Sequence, residues 1–390
     1  MASIHASYKR KFGRQPDVVV RAPGRVNLLG AHVDYNEGWV LPGAIDRAVW
    51  VAAGRRSDSL LHIESLDLGG YVEIELSTIL ESNPVSKDGP SWSNFPFGVA
   101  WVLGNLGWKL PGMNAVFMGD IPIGAGVSSS AAVEIAFIMA FEYLSDSVLS
   151  GRQRAEVGQR VENEYLGVAS GIMDQYASVH GKAEKLILLD CRSIEHELVA
   201  LPSQVGVIVA DSGVRRELVS SEYNLRREQC QQALSILQQD LPDIKALRDV
   251  SIEEFHQLSM KLPQTLRMRS QHVIEECARV LEGVEALENG DLEHFGDTII
   301  RSHISSRALY QVSINELDAL AEAAWDLPGC FGARLIGAGF GGCVVAIVDR
   351  ESSDDVSRVM SDAFNSRFGH NPTIFTCNID DGASYLYKSE

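Results

Sequence analysis

Two glycines and three consecutive serines, Gly124, Gly126, Ser128, Ser129 and Ser130, stand directly ahead of a long apolar run. Glycine lets the backbone turn sharply and come close to a ligand, and the first N–H groups of a helix have no intrahelical partners, so an anion can seat on them. The serine hydroxyls can cap that helix, meet a phosphate oxygen or bind a metal. The chemistry of this segment is phosphate binding, with a capped glycine turn as the plainer alternative from spacing alone. A Walker-type loop is excluded because no lysine follows the glycines. A second cluster, Gly337 to Gly342, matches G-x-G-x-x-G, but the strand-like residues Cys343 to Val348 follow it where a dinucleotide fold needs a helix. A tight β-turn, or a close approach to a ligand or to another part of the chain, is its remaining use.

The elements that must position these residues follow from periodicity. Ala131 to Leu144 is apolar nearly all round, which predicts a helix buried on most sides. Short β-type runs fill the first third, at Val18 to Ala22, Ala48 to Gly54, Leu60 to Glu64, Tyr71 to Leu76 and Asn114 to Met118. Helical patterns occupy Ser221 to Gln239, Arg267 to Asn289, Ile314 to Asp326 and Asp354 to Phe368, and strands are expected at Gly206 to Ala210, Arg334 to Ile336 and Cys343 to Val348. Strands and helices in separate bundles argue for an α+β fold of two lobes with the site between them. The turn at Leu201 to Ser203 suggests a division into residues 1–202 and 203–390.

With 390 residues, 45% of them hydrophobic, the chain is long enough for more than one domain of roughly 150 residues. A formal net charge of −18 disfavours nucleic acid and anionic membranes, though not a nucleotide held by local N–H groups and a cation. None of the six cysteines stands at metal-finger or C-x-x-C spacing, so they read as buried, reduced thiols. The basic N-terminus from Met1 to Arg14 carries no apolar h-region, and the longest strongly apolar stretch, around Ile135 to Phe141, is far short of a membrane span, so a cytoplasmic location is expected.

Five segments carry a family resemblance. Gly24 to Asn36 with Gly38 to Pro42 resembles the galactokinase signature, Pro122 to Ala132 the phosphate loop of the GHMP kinases, and Arg334 to Cys343 their third motif. Gly171 to Gln175 and Ser220 to Cys230 are similar to the galactokinase branch in particular. The resemblance implies a two-lobed, GHMP-kinase-like fold with ATP between the lobes, Mg²⁺, and phosphoryl transfer to the anomeric hydroxyl of a galactose-type sugar. It gives Asp174 the part of catalytic carboxylate and Arg25 that of its basic partner. Ser130 and Glu162 would hold Mg²⁺, with Glu164 as competitor for Glu162. Gly124, Gly126, Ser128, Ser129, Ser130 and Ala131 would meet the nucleotide. Asp34, His32, Gly171 and Tyr223 would meet the sugar.

One departure concerns Ala31. Galactokinases carry a glutamate there that meets the hydroxyl on sugar C6, and relatives acting on galacturonate have alanine. D-Galactose is the first expectation for the substrate and galacturonate the second. A catalytically inactive sugar and ATP sensor, or a GHMP kinase acting on another alcohol, are the competing classes. The sensor is disfavoured because the whole catalytic set is present. A monomer or weak homo-oligomer is expected.

Overall fold

The computed structural model describes residues 2–81, 90–215 and 219–389. Met1, at the head of the basic N-terminal stretch, lies outside them. Among the described residues there are thirteen strands. They are β1 (Val18–Asn27), β2 (Trp39–Val40), β3 (Pro42–Arg55), β4 (Leu60–Ser65), β5 (Tyr71–Glu75), β6 (Met113–Gly119), β7 (Lys185–Asp190), β8 (Glu195–Ala200), β9 (Val205–Asp211), β10 (Cys330–Leu335), β11 (Cys343–Asp349), β12 (Thr373–Cys377) and β13 (Ser384–Lys388).

The larger sheet has the order β13-β1-β3-β6-β4-β5, and all its pairings are antiparallel except β4 with β6. A second sheet runs β10-β11-β9-β12 and a third β2-β7-β8. The expected strand runs fall within these elements except at Leu76, which starts a helix after β5, and Ile336, one residue past β10, and the apolar run before Leu144 is the helix Ser129–Leu144, most of whose side chains are buried. It packs on β1 and β3. A helix with no polar face is stable only where sheet and neighbouring helices cover it on every side.

The turn residues Leu201 to Ser203 stand between β8 of the third sheet and β9 of the second, and the chain later comes back to the larger sheet. β13 pairs with β1, with Val18 opposite Lys388, so the last residues of the chain belong to the larger sheet. The two lobes are therefore tied by a closing strand. The strand after the second glycine cluster is β11, antiparallel to β10, which makes the cluster a hairpin connection. Five of the six cysteines are buried and Cys330 is half-buried; all are free. Among the described residues no helix is long and apolar enough to cross a membrane.

Candidate active site

Gly24 brings β1 against the phosphate loop, since a Cβ there would sit 2.5 Å from the Val127 carbonyl oxygen. The amide of Arg25 donates to that same oxygen at 3.1 Å. Arg25 is thereby fixed beside the loop, and the residue is only 3% exposed. Its Nε donates to Asp174 Oδ1 and its Nη2 to Asp174 Oδ2, each at 2.9 Å. Nη1 donates to the Gly126 carbonyl at 2.6 Å. This bidentate pairing gives the carboxylate one orientation.

Ser128 departs from the expected cap. It adopts a left-handed conformation, φ 61°, and makes no side-chain cap bond to the helix. Its hydroxyl donates instead to Asp174 Oδ2 at 2.5 Å. Asp174 lies in the first turn of the helix Met173–His180 and does not cap it either. The turn residues of the loop are thus spent on holding a carboxylate.

Glu162 sits on a π-helical turn, Val161–Leu166, a distortion often found at functional positions. It accepts from Ser170 Oγ and, at 3.4 Å, from Ser130 Oγ. Burial, together with the nearby Asp174 charge, pushes its carboxyl up to about 7. Glu164 points elsewhere, bound to Arg160 at 2.7 and 2.9 Å.

Three cavities meet here. One of about 380 Å³ is lined by Gly124, Gly126, Ser128, Ser129, Ser130 and the second glycine cluster. Ala131 is buried behind these residues and does not line it. A second, of about 330 Å³, is lined by Ala31, His32, Asp34, Gly171, Tyr223 and Glu162, among others. Arg25 and Asp174 line both. A third, of about 570 Å³, has the apolar walls Trp92, Phe95, Phe117 and Val133 and shares Ser129 and Ser130 with the first.

Within the second cavity, His32 is held from two sides. The Ala338 carbonyl can only accept, so Nε2 donates to it at 3.1 Å and Nδ1 accepts from Tyr35 at 2.8 Å. Burial, with His272 adding to it, brings the ring down to about 3, so it is a neutral imidazole. Asp34 moves the other way. Burial first, then repulsion from Asp174, raises its carboxyl to about 6. Gly171 leaves room for it, because a Cβ there would fall 2.1 Å from Asp34 Oδ2. Tyr223 packs its ring 5.4 Å from that of His32.

The glycine hairpin closes the first cavity from the second lobe. A Cβ on Gly337 would lie 2.9 Å from the Gly126 Cα, and one on Gly342 would lie 3.1 Å from the Ala125 carbonyl. Close backbone contact, not the turn alone, explains this cluster. Sequence reasoning missed Arg215, which lines the first cavity, donates to Ile123 O and pairs with Asp211 at 2.6 Å. No motif announces it. The aromatic wall of the third cavity was also unforeseen, since Trp92 and Phe95 look like ordinary core residues in the chain.

Comparison with known proteins adds to the geometry. The galactokinase galactose-binding signature matches residues 6–55, the GHMP kinases N terminal domain residues 94–182, and the GHMP kinases C terminal residues 284–366. A galactokinase of Roseiflexus sp. (strain RS-1) is 42% identical over 97% of this chain and 95% of its own length. One of Chloroflexus aurantiacus is 38% identical over 100% and 99%. The solved structure of Lactococcus lactis galactokinase complexed with galactose superposes with a TM-score of 0.93 at 31% identity, covering 99% of both chains. The mevalonate kinase of Methanococcus jannaschii, at 18% identity and a TM-score of 0.67 over 94% of this chain and all of its own, shares the fold. Kinases of this kind use ATP. With its signature segments, its full length and its superposition all in agreement, the chain belongs to the galactokinase family of the GHMP kinases.

Proposed function

We propose that the protein transfers the γ-phosphoryl group of ATP to the anomeric hydroxyl of D-galactose, giving galactose 1-phosphate. The observation that carries this reading is that Arg25 and Asp174 line both the phosphate cavity and the neighbouring polar cavity. A reacting hydroxyl and a phosphoryl group can meet only at such a junction. The same pair supports an active enzyme over a sensor, which would have no use for it.

Asp174 receives the proton of the attacking hydroxyl. A carboxylate offers about four lone-pair sites. Arg25 and Ser128 use some of those on Oδ2, and Oδ1 takes Arg25, which leaves acceptor capacity for the sugar. Arg25 offsets charge developing in the transition state, and Arg215 adds a second cation at the phosphate cavity. Asp34 accepts from two sugar hydroxyls, and Gly171, Tyr223 and the neutral ring of His32, both of whose nitrogens are already paired, shape the wall. The phosphates lie on Gly124, Gly126 and the amides from Ser128 to Ser130, and the apolar cavity with Trp92, Phe95 and Phe117 takes the adenine.

Mg²⁺ fits the donor set of Ser130 and Glu162, a hydroxyl and a carboxylate at hydrogen-bonding separation. When bound it neutralises phosphate charge and offsets the strain of a buried Glu162 carboxylate.

At position 31 the cavity wall carries a methyl group. Asn27 is part of the same wall. The named relatives favour galactose over galacturonate. The lobes divide near residue 202, with the tail after residue 383 returned to the first. A monomer or weak homo-oligomer stays the proposed state, and ATP use with free thiols supports the cytoplasm. Phosphorus NMR of the product tests the central assignment. A galactose 1-phosphate signal is expected; a 6-phosphate or no sugar phosphate would contradict it.

A further inference from the structure

The loop that carries Ala31, His32 and Asp34 is held from the other lobe. Glu276, on the helix Gln264–Glu288, is 0% exposed and does not line the sugar cavity. Its Oε1 accepts from the amides of Gly30 and Ala31, each at 3.0 Å, and from Ser302 Oγ at 2.5 Å. Oε2 pairs with Arg279, whose Nη2 also lies 3.7 Å from Glu275. Arg334 Nη1 lies 3.6 Å from Oε1 and donates to the Leu28 carbonyl at 3.2 Å.

One turn earlier on the same helix, His272 Nε2 donates to the Ala31 carbonyl at 3.0 Å, and its Nδ1 accepts from Ser305 at 2.8 Å. The Ala31 residue is therefore gripped through both its N–H and its C=O. Immediately after it His32 takes a left-handed φ of 57°, and immediately before it Gly30 has φ 90°. A backbone turned this sharply keeps its direction only if its polar groups are fixed.

A fully buried carboxylate is a costly way to satisfy two amides when a backbone carbonyl would serve. Its charge is kept. Burial opposes ionisation, but Arg279 and Arg334 outweigh it and bring the carboxyl down to about 2.

We propose that Glu276 is a positioning residue for the sugar site, fixing the Gly30–Ala31 backbone from the second lobe and so aiming His32 and Asp34 at the sugar. The proposal rests on the galactokinase reading. It couples lobe contact to sugar affinity and leaves the nucleotide side untouched.

The test is steady-state kinetics of the full chain with Glu276→Gln, using galactose and ATP. The amide cannot balance two arginines, and the expected result is a rise of about tenfold or more in KM for galactose. KM for ATP should stay within about twofold, and kcat per active molecule within about threefold. Equal rises in both KM values, or an unchanged KM for galactose, would overturn the proposal. A role in folding alone would lower the active fraction and move neither KM. If that variant gives no folded protein, Ser302→Ala removes one donor to Oε1 without unpairing an arginine. KM for galactose should then rise about three- to fivefold, and no change would overturn the proposal. Failure of the wild type to turn over galactose would instead overturn the substrate reading, and this proposal with it.

Discussion

Asp174 accepts from two parts of the chain, Arg25 on β1 and Ser128 in the phosphate loop, and is the group proposed to meet the sugar hydroxyl. Replacing Asp174 with asparagine keeps the volume but turns an amide N–H₂ toward Arg25 or Ser128, and removes the proton acceptor. Turnover should fall about 10²–10⁴-fold, with dissociation constants for sugar and nucleotide within a few-fold of wild type. A near-normal kcat would remove Asp174 from the mechanism. Asp34 gives a pH signature. Its carboxyl is raised from an unfolded value of about 3.9 to about 6 by burial and by Asp174. The fold favours the protonated form, so this group's share of stability is present below pH 4 and lost as pH rises through 6. Sugar binding needs the carboxylate and runs the opposite way. Galactose affinity measured by calorimetry should weaken as pH falls through 6, while the ligand-free protein gains stability from this group. An affinity that is flat from pH 8 to 5 would contradict the role. Neither residue could be assigned from spacing, since an Asp before a Gln reads as a turn. The resemblance in the flanking motifs carried both.

At the scale of elements, the glycines were legible as places where backbone must turn, but what they approach was not. Gly337 and Gly342 face the phosphate loop of the other lobe, a contact between residues more than 200 apart that no local pattern encodes. Gly171 is the sharpest case, with a Cβ position 2.1 Å from Asp34 Oδ2. Gly171→Ala must push the Asp34 carboxylate aside. KM for galactose should rise by about tenfold or more with KM for ATP unchanged, and overpacking should cost about 1–3 kcal/mol of stability. An unchanged KM for galactose would show that Asp34 has room to move without loss. The buried helix Ser129–Leu144 was legible because its apolar residues have no polar face. The helix Gly151–Arg160 was not read, although Ser150 and Gln153 form a capping box at its start. The π-helical turn that carries Glu162 has no sequence signature, because it arises from packing around an otherwise ordinary helical stretch.

For the whole molecule, alternation and periodicity gave the two-lobed α+β arrangement, while the return of β13 to the larger sheet was hidden. The stretch Ser384–Lys388 is short and pairs only through its distance to β1 in space. The formal charge of −18 sits oddly with a nucleotide site until the local cations are seen. Arg25 and Arg215 line the phosphate cavity, together with backbone N–H groups, and the acidic surplus lies elsewhere. Function at this scale rests on two cavities sharing one ion pair, and the proposed choice of galactose rests on the named relatives, with a methyl group at Ala31 in the cavity wall. The most direct measurement is kcat/KM in an ADP-release assay with galactose, galacturonate, mevalonate and homoserine as acceptors. Galactose should exceed each of the others by at least about a hundredfold, or about 2.7 kcal/mol in transition-state binding. Faster turnover of galacturonate, or sugar binding without turnover of any acceptor, would contradict the account.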